Sequence, residues 1–431
     1  MRSEVCPARV QSVCPACGRV CAGGYEVRGG AVWFDISCPE CGTFSTLASE
    51  DPAAFSLYMG KPSVTVAPRE ALTAGVDAGA RSAAVRGADD MSAAPGEGAG
   101  MPEGECPLHC GVCEDHLMTA CCVLIDVTAR CDQRCPWCFA RAGESGGSVG
   151  GAGEPSLREI GRWYDRLLEL GEERPFNIQI SGGEPAVRDD LPEIVALGRA
   201  KGFEYIQLNT NGRRLGTEGS GDYGIGETGE AYARRLAEAG LTTVFMQFDG
   251  VTDAVYRELR GEPLLDIKLR AIENCAKAGL PVTLVPTIVK GVNIFEPGNA
   301  AVGEIGGMID FMLANLGVVK GIHFQPVSFF GRHPSQARNI GVATELNPER
   351  VTMFAVMSEI ERQTGGRIKK TDLLPITTGH PLCCFCANFL RERDGALTST
   401  ATDVQREEGM ACCEGAEPER AQCCRPPVAE P

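Results

Sequence analysis

The sequence contains no uninterrupted apolar run of roughly 18 residues, the length a helix needs to cross a bilayer, so no membrane span is expected. It also lacks an excess of positive charge: 41 Lys and Arg stand against 57 Asp and Glu, a formal net charge of −16. Phosphate backbones and anionic membrane surfaces recruit basic patches, so this balance excludes nucleic acid as the main partner. The N-terminal stretch carries Cys6, Cys14, Cys17 and Cys21 among glycines where a signal peptide would have an apolar centre. A cytoplasmic location is therefore expected.

What the chain does have is cysteine, 22 of them in 431 residues, with 43% hydrophobic content to fill a core. That length accommodates one barrel-class domain of roughly 200–250 residues with smaller pieces appended. In a reducing compartment, clustered cysteines are metal ligands or redox thiols more often than disulfides. All but Cys6, Cys21 and Cys275 fall in tight groups. Cys275, inside a helical pattern, reads as a small buried apolar residue.

Residues 1–60 read as a four-cysteine knuckle module of zinc-ribbon or rubredoxin-like type. Cys14-Pro-Ala-Cys17 and Cys38-Pro-Glu-Cys41 bracket a strand-like run from Ala31 to Ile36. Two C-x2-C knuckles about 20 residues apart supply four thiolates in tetrahedral geometry, suited to Zn or a mononuclear Fe. So small a unit needs such a staple to fold. Residues 61–105 form an Ala/Gly-rich linker, 106–122 a second cysteine segment, 123–335 the core, and 336–431 a C-terminal helix (Pro348 to Thr364) with a Cys-rich tail. Gly-rich stretches at 143–153 and 216–229 read as surface insertions.

From Val123 onward strands and helices alternate. Strands are expected at Val123 to Val127, Asn177 to Ser181, Tyr205 to Thr210, Thr243 to Phe248, Pro281 to Ile288 and Ile322 to Pro326. Helices are expected at Leu157 to Leu170, Leu191 to Ala200, Ala231 to Ala239, Leu264 to Ala278 and Glu304 to Leu316. Short β-branched strands each followed by a helix require parallel pairing with right-handed crossovers. The expected fold class is therefore α/β, a partial (β/α)6 TIM-like barrel, with ligands at the C-terminal ends of the strands. On the sixth strand His323 and Gln325 alternate with Ile322 and Phe324, so one pair should point inward.

Directly after the first strand comes Cys131-Asp-Gln-Arg-Cys135-Pro-Trp-Cys138, a C-x3-C-x2-C loop. Three thiolates on a [4Fe–4S] cluster leave one iron free for an exogenous ligand. Beside it, Trp137 and Phe139 flank the third cysteine, and Ser181-Gly-Gly-Glu-Pro185 stands at the end of the second strand. Together these resemble the signatures of the radical S-adenosylmethionine (radical SAM) superfamily. The resemblance implies that S-adenosyl-L-methionine chelates the open iron while the turn of Gly182, Gly183 and Glu184 holds its methionyl ammonium. It further implies that Asn209, Asn211, Gln247, Asp249 and Thr287 line the cofactor or substrate side, and that a low-potential donor of ferredoxin or flavodoxin type supplies the electron.

Upstream, Cys106-Pro-Leu-His-Cys110-Gly-Val-Cys113 followed by Cys121-Cys122 is a second C-x3-C-x2-C with a fourth thiol in reach, which fits a closed auxiliary [4Fe–4S] cluster. The run from Cys106 to Phe139, with the knuckles before it, resembles a branch containing pterin-methylating and tetraether-lipid-synthase radical enzymes, and that resemblance favours Cys121 as the fourth ligand. His380-Pro-Leu-Cys383-Cys384-Phe-Cys386 is similar to radical SAM (seleno)proteins of the TrsS type. Cys383, Cys384 and Cys386 are candidates for a third metal site, or for redox thiols together with the later cysteine pairs. Thr378 stands where the pterin- and lipid-acting relatives carry a cysteine, which argues against a third cluster built their way.

The resulting expectation is an oxygen-sensitive radical enzyme that cleaves S-adenosylmethionine to a 5′-deoxyadenosyl radical. It would modify an unactivated carbon of an unknown substrate by methylation or C–C or C–S bond formation. The alternative is a thiol or selenol-type redox protein that uses the C-terminal cysteines.

Overall fold

The computed structural model describes residues 10–59, 122–143, 153–171, 176–219, 226–294, 303–329, 331–334, 350–375, 382 and 384–400. The cysteines expected to form the auxiliary site (Cys106, Cys110, Cys113, Cys121), Cys383, and the pairs after residue 400 lie outside them.

The N-terminal unit is a four-stranded antiparallel sheet of β1 (Val10–Val13), β2 (Val20–Arg28), β3 (Ala31–Cys38) and β4 (Gly42–Ser49), paired in chain order. Only β3 is evident from the sequence pattern. β4 is rich in Ser and Thr, β2 carries Gly23 and Gly24, and β1 is only four residues long, all of which blunts alternation. Gly29 and Gly30 join β2 to β3 with φ of 60° and 81°, the left-handed pair that matches a two-residue hairpin turn to the twist of its strands.

Helix α1 (Pro52–Met59) then leads out of the sheet and presents Phe55 and Tyr58, both buried. They pack on Phe354, with ring centroids 5.9 and 5.3 Å apart, while Tyr58 Oη donates to the Leu373 carbonyl at 2.5 Å. The ribbon is thus fastened to the C-terminal part of the chain. Lys370 pairs with Asp51 at 2.5 Å, and Thr352 hydrogen-bonds Glu50.

The core sheet has six parallel strands in sequential order: β5 (Cys122–Thr128), β6 (Asn177–Gly182), β7 (Ile206–Thr210), β8 (Thr243–Gln247), β9 (Val282–Val285) and β11 (Val319–Ile322). A short parallel pair, β10 (Thr287–Ile288) with β12 (Gln325–Pro326), continues β9 and β11. Helices cover the outer face: α2 (Leu157–Gly171), α3 (Leu191–Ala200), α4 (Gly229–Glu238), α5 (Asp253–Arg260), α6 (Leu265–Lys277) and α7 (Glu304–Ala314). This is the expected partial barrel.

Two details depart from the sequence expectation. The sixth strand starts at Val319 rather than Ile322 and breaks at His323 and Phe324, opposite Pro286, which has no N–H to give; His323 N still donates to Leu284 O and Gln325 N to Pro286 O as the chain continues into β12. The helix α5 was not anticipated. Its signals were present: Val255, Tyr256 and Leu259 form a buried stripe, and Gly261, at φ 86°, ends it.

The sheet has an apolar outer face and a polar inner one. On β6, Ile178 and Ile180 are buried against the helices while Gln179 and Ser181 alternate with them. Ile206 and Leu208 do the same on β7, leaving Gln207 and Asn209 inside, and on β8 Val244 and Met246 leave Phe245 and Gln247 inside. A core-filling barrel would put aliphatic side chains there. This one keeps a polar interior, to which β5 adds the exposed Asp126, register partner of Ser181. Cys275 is fully buried on α6, as expected, and burial pushes its thiol up to about 12.

The C-terminal helix α8 (Met353–Gln363) is capped by Thr352, whose hydroxyl accepts from Ala355 N at 3.0 Å. Beyond it, β13 (Leu374–Pro375) pairs with β14 (Phe385–Cys386), and β15 (Phe389–Arg391) with β16 (Leu397–Ser399). Among the described residues no helix is long and apolar enough to cross a membrane.

Candidate functional site

At the C-terminal end of β5 the chain leaves the sheet as a loop bearing Cys131, Cys135 and Cys138. Cys135 is 9% exposed and the other two are half-buried. Backbone amides already point at two of the sulfurs: Gln133 N to Cys131 Sγ and Ala142 N to Cys138 Sγ, each at 3.4 Å. Burial pushes the Cys131 thiol up to about 12 and raises Cys135 as well, where the nearby Arg260 cation opposes it.

The glycine turn after β6 locks against the base of this loop. Gly183 N donates to Thr128 O at 2.7 Å and Glu184 N to Arg130 O at 2.8 Å. A Cβ on Gly182 would lie 2.2 Å from Thr128 O, and one on Gly183 2.2 Å from Arg130 O, so two side-chain-free positions are required for the approach.

Glu184 is buried and faces the end of β7. Its carboxylate accepts from Ala186 N (3.0 Å), Thr210 Oγ1 (2.7 Å) and Asn211 N (2.5 Å), fastening the turn to its neighbour. Burial, reinforced by the charge of Asp132, raises the carboxyl to about 7, although the amide donors oppose the shift.

The remaining residues expected at the site fall into two groups. Asn209 accepts from Gln207 Nε2 at 2.9 Å on the inner wall, while Asn211 Nδ2 donates to Asp132 Oδ1 inside the cysteine loop at 2.7 Å. Asp249, 0% exposed, is held by Arg260 through paired 2.7 Å contacts and by Thr287 N at 3.0 Å. Thr287 Oγ1 accepts from the same guanidinium at 2.8 Å, and Gln247 joins Asp249 and Lys268. Lys268, fully buried on α6, also hydrogen-bonds Asn211 O; desolvation lowers its ammonium to about 8. His323 lies at the end of β11 with its ring 5.1 Å from Phe245.

Sequence reasoning missed three arginines that hold the cysteine loop from outside. Arg213 reaches Asp132 at 3.6 Å, and Arg260 reaches Trp137 O at 3.4 Å. Arg332 donates to Cys135 O at 2.8 Å and exchanges backbone hydrogen bonds with Cys138. Gly331, at φ 79°, permits that last contact, since a Cβ there would lie 2.1 Å from Phe139 O.

These features fit an iron–sulfur cluster. The donor set is three thiols on one braced loop, with amide N–H groups on sulfur of the kind that tunes such clusters. Two further buried donors of the loop, Gln133 Nε2 and Trp137 Nε1, have no acceptor among the described residues. Anionic sulfur is a suitable partner for them.

The N-terminal knuckles form a separate centre. The sulfurs of Cys14, Cys17, Cys38 and Cys41 all lie within 4.8 Å of one another, the spacing of a single-ion tetrahedral site. The amides of Glu40 and Cys41 pull the Cys38 thiol down to about 6. Cys384 is exposed and Cys386 half-buried on β14.

The family model of the radical SAM superfamily matches residues 125–301, and that of the HMPTM N-terminal zinc ribbon domain matches residues 6–50. The chain is 39% identical over 295 residues, 68% of its own length and 52% of the relative's, to a 7,8-dihydro-6-hydroxymethylpterin dimethyltransferase of Methanocaldococcus jannaschii. It is 31% identical over 173 residues, 40% of the chain and 50% of the relative, to a probable GTP 3′,8-cyclase of Methanothermobacter thermautotrophicus. The chain thus spans about half the length of these curated relatives. Among solved structures, Streptococcus suis SuiB bound to S-adenosylmethionine aligns with a TM-score of 0.36 at 14% identity, covering 51% of this chain and 44% of that one.

Proposed function

We infer that this chain belongs to the radical SAM superfamily, whose family model matches its residues 125–301. From that premise we propose that it is an enzyme carrying a [4Fe–4S] cluster on Cys131, Cys135 and Cys138, which methylates or otherwise bonds to an unactivated carbon of a planar heterocycle of the pterin class. Bound together, the cluster and S-adenosylmethionine would supply reductive cleavage of the sulfonium and the radical chemistry that follows from it. The electron comes from a low-potential ferredoxin or flavodoxin type of donor. An auxiliary cluster on Cys106, Cys110, Cys113 and Cys121 and a single ion in the ribbon complete the proposed metal content.

The observation that carries the reading is the contact between the three-cysteine loop and the Gly182–Gly183 turn. It puts thiols, amide donors and a side-chain-free turn at one mouth of a polar barrel. The protein's own work there is positional. Glu184 and Asn211 fix the turn and the loop to β7, the arginines hold the loop's outer side, and the packed outer face keeps the sheet rigid.

The inner wall supports the substrate class. Asp126, Gln179 and Asn209 present acceptors and donors to a heterocycle's N–H and C=O groups, with Gln207 orienting Asn209, while the Phe245–His323 pair offers aromatic faces. The similarity to a pterin dimethyltransferase points the same way.

The test is anaerobic. Protein reconstituted with iron and sulfide and reduced with dithionite is given S-adenosylmethionine, with and without 7,8-dihydro-6-hydroxymethylpterin. The 5′-deoxyadenosine formed is compared with that from the Cys131/Cys135/Cys138→Ala triple variant. Product from the wild type alone, increased by the pterin, is expected. No product from fully iron-loaded wild type would overturn the radical reading, and product indifferent to the pterin would overturn the substrate class.

A further inference from the structure

The Arg260–Asp249 pair is more than a strand-end brace. Arg260 ends α5, whose Val255 and Leu259 pack with Trp137 of the cysteine loop, and its 9% exposed side chain reaches three residues at the site. It donates to both oxygens of Asp249 at 2.7 Å, to Thr287 Oγ1 at 2.8 Å and to Trp137 O at 3.4 Å, between Cys135 and Cys138 in sequence. The cation lies close enough to Cys135 for its charge to oppose the rise that burial imposes on that thiol. Asp249 is itself fixed by Thr287 N at 3.0 Å and by Asn293 Nδ2, which donates to its carbonyl at 3.0 Å. The cation is therefore pinned by a rigid carboxylate on one side and held against the backbone of the cysteine loop, between Cys135 and Cys138, on the other.

Charge and hydrogen bonding at a ligand sulfur set how readily an iron–sulfur cluster accepts an electron. A guanidinium cation held beside the ligand loop stabilises the more negative, reduced cluster. A carboxylate behind it offsets part of that effect, because it lies farther from the sulfur and neutralises the cation. Resting on the radical SAM reading above, we propose that Arg260 is a positioning residue that raises the electron affinity of the cluster held by Cys131, Cys135 and Cys138, with Asp249 as the counter-charge that limits it. A brace without this role would give the same loop but no dependence of potential on the two charges.

The two charges make opposite predictions, which separates electrostatic from structural effects. D249N keeps the size of the side chain but leaves the arginine cation unopposed, so the cluster should become easier to reduce. The double variant R260M/D249N removes both charges, the nearer cation included, without stranding a buried ion, so the cluster should become harder to reduce. Each change is expected to move the one-electron equilibrium about tenfold, about 59 mV. The readout is an EPR-monitored redox titration of reconstituted full-length protein, followed on the signal that changes when S-adenosylmethionine is added.

Shifts of opposite sign support the inference. Unchanged midpoints in both variants at full iron loading overturn it while leaving the radical reading intact. If the double variant does not fold, D249N decides: an upward shift supports the role and an unmoved midpoint refutes it. A wild type in which no signal responds to S-adenosylmethionine overturns the radical reading itself, and the inference with it.

Discussion

Replacing Glu184 should damage the protein before it damages any chemistry, and the structure allows the loss to be sized. The carboxylate is 2% exposed and accepts from two backbone amides and one hydroxyl, at 3.0, 2.5 and 2.7 Å. An unsatisfied buried donor costs about 1–3 kcal/mol. The Thr210 hydroxyl can rotate and water can enter the space left by alanine, so the two amides dominate, and E184A should cost about 3–4 kcal/mol. E184Q keeps the volume and one acceptor oxygen and should cost about 1–2 kcal/mol at low pH.

The pH dependence gives a second, independent sign. The carboxyl titrates near 7 in the folded chain against an ordinary 4.5, so between those values the native state holds a proton that the unfolded state has lost. The stability from this group is fully present below 4.5, falls as pH rises and is gone above about 7, a change of about 3 kcal/mol. Glutamine does not titrate, so the gap between wild type and E184Q should narrow, and can reverse, from pH 4.5 to 8. Urea unfolding followed by far-UV circular dichroism measures both quantities. A cost below about 1 kcal/mol for E184A, or a wild-type-to-E184Q gap independent of pH, would refute the reasoning.

Three further outcomes are expected. G331A puts a Cβ within 2.1 Å of Phe139 O at a φ of 79°, so the loop must shift at a cost of about 1–3 kcal/mol, and the variant should lose iron faster to a chelator than wild type. D126N removes an inward-facing anionic acceptor; binding of 6-hydroxymethylpterin, read by its fluorescence, should weaken about tenfold or more, and equal affinity would remove Asp126 from recognition. Stripping the ribbon ion should abolish the near-UV signal of Trp33 on β3 and loosen α8, which rests on Phe55 and Tyr58; an unchanged spectrum in metal-free protein would show that the sheet folds without its staple.

Much of this architecture was legible because the core obeys local rules. On β6 the alternation of Ile178 and Ile180 with Gln179 and Ser181 is a strand in the sequence and a strand in space. The four ribbon thiols were legible for the same reason, since two knuckles at that separation converge whatever lies between them. The failures have physical causes as well. β2 carries Gly23 and Gly24 where alternation should show, and its pairing with β3 supplies the order that propensity does not. The break after β9 falls at Pro286, which has no N–H to give to a ladder, and β12 re-pairs beyond it by donating Gln325 N to the Pro286 carbonyl.

The residues that brace the cysteine loop were invisible for a different reason. Asn211 meets Asp132 across 79 positions, Arg260 meets Trp137 O across 123, and Arg332 meets Cys135 O across 197. Two of the three end on main-chain carbonyls, so they recognise the path of the loop and leave no complementary side chain beside the cysteines to betray them. That arrangement suits what the loop must do. Its sulfurs have to stay fixed while their own hydrogen bonds come from neighbouring amides, so the restraint must act on the backbone from outside. Long guanidinium forks can span that gap and satisfy several carbonyls at once. In this barrel the chemistry-bearing residues are therefore announced by spacing, whereas the residues that make the spacing useful become apparent only when the strand ends are brought together.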